Sequence, residues 1–109
     1  MLIALIGLCA TDTYAQMCTP SGNVQPQVQS RSATAVCYAL TNSNNYRVTV
    51  TVVVVHRGEV VSNEYVHVIE PNSRTPRQQC HNVSHWAGEK ANFNSNFLNI
   101  RIISVVKCS

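Results

Sequence analysis

The spacing of Cys80, His81 and His85 is the pattern in this chain that most resembles a metal site. Two histidines four residues apart meet on one face of a helix, and a cysteine thiolate is a third ligand that zinc accepts. The neighbouring sequence offers no fourth ligand, and Cys80 is needed to complete an even number of half-cystines. We therefore expect His81 and His85 to be surface-loop histidines, and we predict neither a metal site nor a cofactor.

Residue types that support catalysis are sparse. The chain has no Gly-x-Ser-x-Gly turn and no glycine-rich phosphate loop, and its one aspartate, Asp12, lies near the N-terminus. Glu59 and Glu64 are five residues apart on one predicted strand, so they lie on opposite faces and are disfavoured as an acid and base pair. The sequence predicts a protein that is not an enzyme.

Asn82-Val83-Ser84 is the one N-glycosylation sequon in the chain. In a eukaryotic secreted protein we expect Asn82 to carry a glycan, which places this segment at the surface. In a bacterial protein the motif has no such consequence.

Arg74 and Arg77, followed by His81 and His85, are candidates for a basic patch that binds a sulfated glycan or an acidic partner. The chain has eight Lys and Arg against five Asp and Glu, a formal net charge of +3, and these charges are scattered along it. Such a charge attracts polyanions without specifying one. Nucleic acid is not expected, because no aromatic stacking residues interleave with the basic ones.

Residues 1–15 are predicted to be a signal peptide and residues 16–109 a single domain. The apolar run from Leu2 to Ala10 is too short to span a bilayer, and Thr13 and Ala15 are small residues where a cleavage site needs them. The alternative is a buried N-terminal strand. The sequence thus predicts a secreted, extracellular protein with no membrane span.

Four cysteines follow the predicted signal peptide, namely Cys18, Cys37, Cys80 and Cys108. An even number in a secreted domain predicts two disulfides. We favour the nested pairing, Cys18–Cys108 with Cys37–Cys80, because domain termini often lie close together and long loops gain most from closure. The sequential pairing, Cys18–Cys37 with Cys80–Cys108, remains open.

Residues 46–69 predict the β-hairpin around which the domain is built. Two runs of β-branched residues are broken by Arg57-Gly58, and apolar residues alternate along the first run. That run is longer than an ordinary strand, so we expect it to be central in its sheet or to bend.

Two loop lengths compete for the hairpin turn. A two-residue loop pairs Val48 with His67 and turns Tyr65 and His67 to the inner face, whereas a three-residue loop turns Glu64 there. We favour the two-residue loop, because an unpaired buried carboxylate costs more than a buried amide that is hydrogen-bonded.

In the favoured register the outer face of the hairpin is also apolar. Its candidate contact residues are Val53, Val55, Val66 and Val68. Either a second layer covers them and the hairpin is core, or they form an exposed patch for a partner or a homodimer.

The remaining elements are short strands joined by turns. Asn42-Ser43-Asn44-Asn45 is a turn by composition, and we expect it to form a second hairpin and so a three-stranded meander. We predict strands at residues 24–28 (an edge strand), 32–41, 74–80 (interrupted by Pro76) and 97–107, and a short helix at residues 84–90.

These elements fit an all-β fold, a small antiparallel β-sandwich of about six strands. Over about forty residues the hairpin and the turn after it resemble immunoglobulin-like or fibronectin-III-like sandwiches. Trp86 follows Cys80, whereas antibody-type domains place a tryptophan between the two cysteines, so the resemblance is one of architecture.

The sequence therefore predicts a secreted, non-enzymatic binding module that recognises an extracellular protein or glycan, with a defence, venom or host-interaction role. One alternative is a small carrier of an apolar ligand held between the sheets beside Tyr65 and His67. The other is an inhibitor of a secreted hydrolase, acting through the loop at residues 74–79 or 92–96.

Overall fold

The computed structural model describes residues 17–87 and 92–108. The predicted signal peptide and the last part of the predicted helix, residues 88–90, lie outside the described residues. Neither helical segment in the described ranges has the length and apolar run needed to cross a membrane.

The elements are β1 (Cys18–Pro20), β2 (Val24–Ser32), β3 (Ala35–Asn42), β4 (Val48–His56), β5 (Glu59–Val60), β6 (Tyr65–Ile69), β7 (Ser73–Arg74), β8 (Gln79–Asn82), helix α1 (Ser84–Ala87), a 3₁₀ turn (Ser95–Phe97) and β9 (Leu98–Cys108).

The strands form two antiparallel sheets, which confirms the predicted β-sandwich. Sheet A has the order β1-β9-β4-β5, and β6 also pairs with β4. Sheet B has the order β2-β3-β7, and β8 also pairs with β3. The described strands outnumber the six or so expected, because β1, β5 and β7 are too short to show an alternating pattern.

The hairpin turn is the predicted two-residue loop. His56 pairs with Glu59, and Arg57 and Gly58 both have positive φ, 51° and 87°, as a type I′ turn requires. The partner predicted for Val48 was wrong, because the ladder slips by two residues and pairs Val48 with Ile69.

The slip arises because residues 61–64 leave the ladder between β5 and β6. The Ser62 hydroxyl accepts a hydrogen bond from the Val54 amide at 2.8 Å in place of a strand partner. A shift of two residues preserves the face, so Tyr65 and His67 still point inward as predicted.

The predicted second hairpin and meander were wrong. β3 pairs within sheet B and β4 within sheet A, so the turn after Asn42 carries the chain from one sheet to the other. The fully buried Asn42 fixes this crossing, as its Nδ2 donates to the carbonyl oxygens of Tyr46, Ile69 and Glu70 at 2.8, 3.2 and 3.0 Å. Its Oδ1 accepts from the Asn44 amide at 2.9 Å.

The core lies between the inner faces of the two sheets. Alternate valines of β4 supply the centre and are almost completely buried, as period two dictates for a strand with one face inward. The buried core cluster is Val24, Val36, Tyr38, Leu40, Val48, Val50, Val52, Val54, Ile69, Val83, Leu98 and Ile100.

Residues 92–97 show no sequence period, and aromatic contacts with the end of β4 fix them. The buried His56 stacks on Phe93, with ring centroids 5.0 Å apart, and its Nε2 accepts a hydrogen bond from the Asn94 amide at 3.2 Å. The Arg57 guanidinium lies 3.7 Å from the centroid of the Phe97 ring.

The nested disulfide pairing is confirmed, with bonds Cys18–Cys108 and Cys37–Cys80. Each bond joins directly paired residues of neighbouring strands within one sheet. Antibody-type domains instead bridge their two sheets with the conserved disulfide, so the immunoglobulin-like resemblance extends to the sandwich architecture alone.

Candidate functional site

One side of the sandwich, which we call the open edge, is formed by β6 of sheet A and β8 of sheet B. In the described residues β6 pairs only with β4 and β8 only with β3, so neither strand has a strand partner on its outer side. The two strands face each other, because the Tyr65 ring stacks on the His81 ring with centroids 3.6 Å apart. At the opposite side, Arg31 of β2 donates to the Leu98 carbonyl oxygen of β9 at 2.7 Å and joins the sheets.

Behind the open edge, Tyr38 of β3 binds two histidines at once. Its Oη lies 2.8 Å from His67 Nε2 and 2.7 Å from His81 Nε2. A phenol has one proton, so with neutral imidazoles Tyr38 donates to one ring and accepts from the other. The two histidines are then opposite tautomers, and the network is satisfied without charge.

Burial keeps all three groups of this network neutral. It raises the pKa of Tyr38 to about 12, with a smaller contribution from Tyr65. Burial also lowers the pKa of His67 and of His81, and repulsion from His67 lowers the pKa of His81 further. At neutral pH the network therefore acts as a set of hydrogen bonds between the sheets.

A groove of about 350 Å³, the edge groove, runs beside the open edge. Residues 61–63, which belong to no strand, form part of its lining, and side chains of α1 form another part. A mixture of aromatic, aliphatic and amide side chains is typical of binding sites. The lining residues are Val60, Val61, Ser62, Asn63, Tyr65, Asn82, Val83, His85 and Trp86.

The structure separates the four valines predicted to form one contact surface. Val66 and Val68 are 62% and 55% exposed, whereas Val53 and Val55 are 3% and 6% exposed. The exposed-patch alternative was wrong for Val53 and Val55, whose side chains are covered in the fold. Val66 and Val68 belong to an edge strand and stay accessible.

The predicted basic patch is also divided. Arg74 and Arg77 are exposed and line a separate groove with Gln29 of β2. His81 is turned inward to Tyr38, and His85 lines the edge groove. The two arginines therefore lie apart from both histidines.

Cys80 is bonded to Cys37, so its sulfur is not free for a metal. Within residues 17–87 and 92–108, no group of three or more His, Cys, Asp or Glu side chains is placed to hold a metal ion. Asn82 is exposed, and its Oδ1 accepts from Thr34 Oγ1 at 3.0 Å and from the Ser84 amide at 2.7 Å. Glycosylation at Asn82 stays a prediction.

Sequence reasoning missed Tyr38, the buried residue behind the open edge that joins the two histidines. Its inward direction follows from the alternation of Val36, Tyr38 and Leu40. Its partners lie 29 and 43 residues away on strands of both sheets. The predicted bond between Cys37 and Cys80 is a signal for the contact with His81, whereas the sequence carries none for the contact with His67. Comparisons of the chain with protein-family models, with curated protein sequences and with solved structures gave no match.

Proposed function

We propose that this chain is a secreted, non-enzymatic binding module that recognises an extracellular protein through its open edge. The observation that carries the proposal is the exposure of Val66 and Val68 on a strand that has no described strand partner on its outer side. An edge strand of this kind offers free backbone donors and acceptors together with apolar side chains.

The edge groove supports the same proposal. Tyr65 and Trp86 line it, and Val60 on its rim is 49% exposed. Aromatic side chains in a partly enclosed site are the usual anchors of protein interfaces. The Tyr38 network behind β6 holds the backbone of this surface in place.

Secretion is supported by the two disulfides, which persist in oxidising compartments. The carrier alternative requires space between the sheets, where the inward side chains are buried in one core cluster. His67, expected there beside the ligand, is instead hydrogen-bonded to Tyr38.

The test uses a double variant, Val66→Thr with Val68→Thr, which keeps the side-chain shape and replaces one methyl group of each valine with a polar hydroxyl. The matched control is Ile103→Thr, because Ile103 is 45% exposed on β9 of the same sheet, away from the open edge. We expect immobilised wild type and the control to recover the same protein from extracellular fluid at physiological salt, and the double variant to lose it. Recovery of no specific protein, or equal recovery by all three, contradicts the proposal.

A further inference from the structure

Arg74 and Arg77 differ from the other basic residues in the described part of the chain. Every other described lysine or arginine side chain has a partner, while those of Arg74 and Arg77 have none among the described residues. The partnered ones are Arg31 with the Leu98 carbonyl oxygen, Arg47 with Glu70, Arg57 with the Phe97 ring, Arg101 with the Gly58 carbonyl oxygen and Lys107 with the Tyr46 ring.

The backbone that carries these two arginines is anchored to β3. The buried Thr75 donates its amide to the Leu40 carbonyl oxygen at 2.9 Å, and its Oγ1 accepts from the Leu40 amide at 3.3 Å. Gln79 Nε2 donates to the Arg77 carbonyl oxygen at 3.0 Å, and Pro76 fixes φ between the two arginines. The guanidinium groups are thus carried by a fixed loop.

Both side chains line one shallow groove of about 390 Å³, which we call the arginine groove. Its lining contains two amide side chains and no carboxylate. The residues are Gln29, Ala39, Arg74, Thr75, Pro76, Arg77 and Gln78. The groove therefore offers positive charge and neutral hydrogen-bond donors without an internal anion.

We propose that the arginine groove binds a sulfated extracellular glycan. Guanidinium groups bind tetrahedral oxyanions through paired hydrogen bonds and are weakly hydrated, so they suit sulfate esters. The amides of Gln29 and Gln78 can donate to and accept from sugar hydroxyls. The chain's net charge of +3 adds long-range attraction for a polyanion.

The lining disfavours the other polyanions. Protein interfaces need apolar or aromatic anchors, and the large exposed apolar residues of the described chain, such as Val66 and Val68, lie outside this groove. Nucleic acids bind through stacking aromatic side chains, which the lining lacks. The groove is also separate from the open edge, so this site is independent of the proposed protein-binding function.

The experiment measures affinity at physiological salt for heparin, chemically desulfated heparin and poly-glutamate. The test variant is Arg74→Gln with Arg77→Gln. The charge-matched control is Arg57→Gln with Arg101→Gln, which removes the same charge from the partnered arginines at the hairpin tip. Thermal unfolding of each variant establishes that it is folded before binding is compared.

We expect wild type and the control to bind heparin, and the test variant to bind it at least about tenfold more weakly. Desulfated heparin, which keeps its carboxylates, should bind wild type weakly. Equal losses in both variants would show a net-charge effect and overturn the proposal. Absence of heparin binding by the wild type overturns it too, and tighter binding of poly-glutamate than of heparin assigns the groove to an acidic protein instead.

Discussion

Two buried polar clusters join the sheets of this sandwich. They differ in whether their hydrogen-bonding partners can gain or lose a proton near neutral pH. Asn42 bonds to backbone carbonyl oxygens and to the Asn44 amide, none of which titrates near neutral pH. Tyr38 bonds to two imidazoles, whose hydrogen-bonding roles change when they are protonated. The contribution of the first cluster to stability is therefore independent of pH near neutrality, whereas that of the second depends on the number of protons its side chains bind.

The largest expected effect comes from removing the Asn42 side chain. Asn42→Ala leaves buried carbonyl oxygens without a donor, and we expect it to lower the free energy of unfolding by about 2–4 kcal/mol. Chemical denaturation measures this change. The control Asn45→Ala removes an exposed amide from the same turn and should stay within about 0.5 kcal/mol of wild type. An Asn42→Ala variant as stable as that control would show that the crossing is held by other contacts.

A smaller loss is expected when the Tyr38 hydroxyl is removed. Tyr38→Phe keeps the ring in the core but deprives both imidazoles of their partner, at a cost of about 1–3 kcal/mol. The histidines are partly accessible, so water replaces some of the lost bonding. Tyr46→Phe is the matched control, because its hydroxyl makes one bond, to Ser21 Oγ at 2.7 Å, on a half-buried side chain. Equal losses in the two variants would mean that the Tyr38 hydroxyl contributes no more to stability than a hydroxyl with a single hydrogen bond.

These two clusters also show which features of the fold can be predicted from the sequence and which depend on long-range contacts. Local patterns identified the two-residue turn at Arg57-Gly58, the inward face of β6 and the β-only character, because period two and turn chemistry act over a few residues. The asparagine-rich turn after β3 was predicted as a hairpin loop. Composition shows that a turn is present, but the direction of the next strand depends on the bonds of Asn42 to Ile69 and Glu70, far along the chain.

The hairpin valines show the same limit for the candidate site. Their residue type and face are the same, so alternation assigned Val53, Val55, Val66 and Val68 to one surface. Their burial differs because it depends on which parts of the chain pack over each side chain, and alternation carries no information about that packing. The cysteine pairing was predictable because loop closure and nearby termini are chain-level arguments that need no contact map.

The smallest predicted effect, and the one that separates the two clusters most directly, is a pH dependence of stability. His67 and His81 have a lower pKa in the folded protein than the 6.5 of an ordinary histidine, because burial disfavours the charged ring. Below pH 6.5 the unfolded chain binds more protons than the folded one, so stability falls as the pH drops from 6.5 towards the folded pKa values. Tyr38 has the opposite pH dependence, because its pKa rises from 10 in the unfolded chain to about 12 in the folded one. Between these values the folded protein binds more protons, so stability falls as the pH rises from 10 towards 12.

Denaturation midpoints measured across the acid range test this dependence. Replacing both histidines, His67→Gln with His81→Gln, keeps hydrogen-bonding groups near Tyr38 but removes the titration, so the acid slope should become shallower than in wild type. Asn42→Ala should keep the wild-type slope and shift the whole curve downward, since its cluster binds no extra proton. A double variant with an unchanged slope would place the acid sensitivity elsewhere, and an Asn42→Ala variant with an altered slope would show that the two clusters are coupled through β3 and β6.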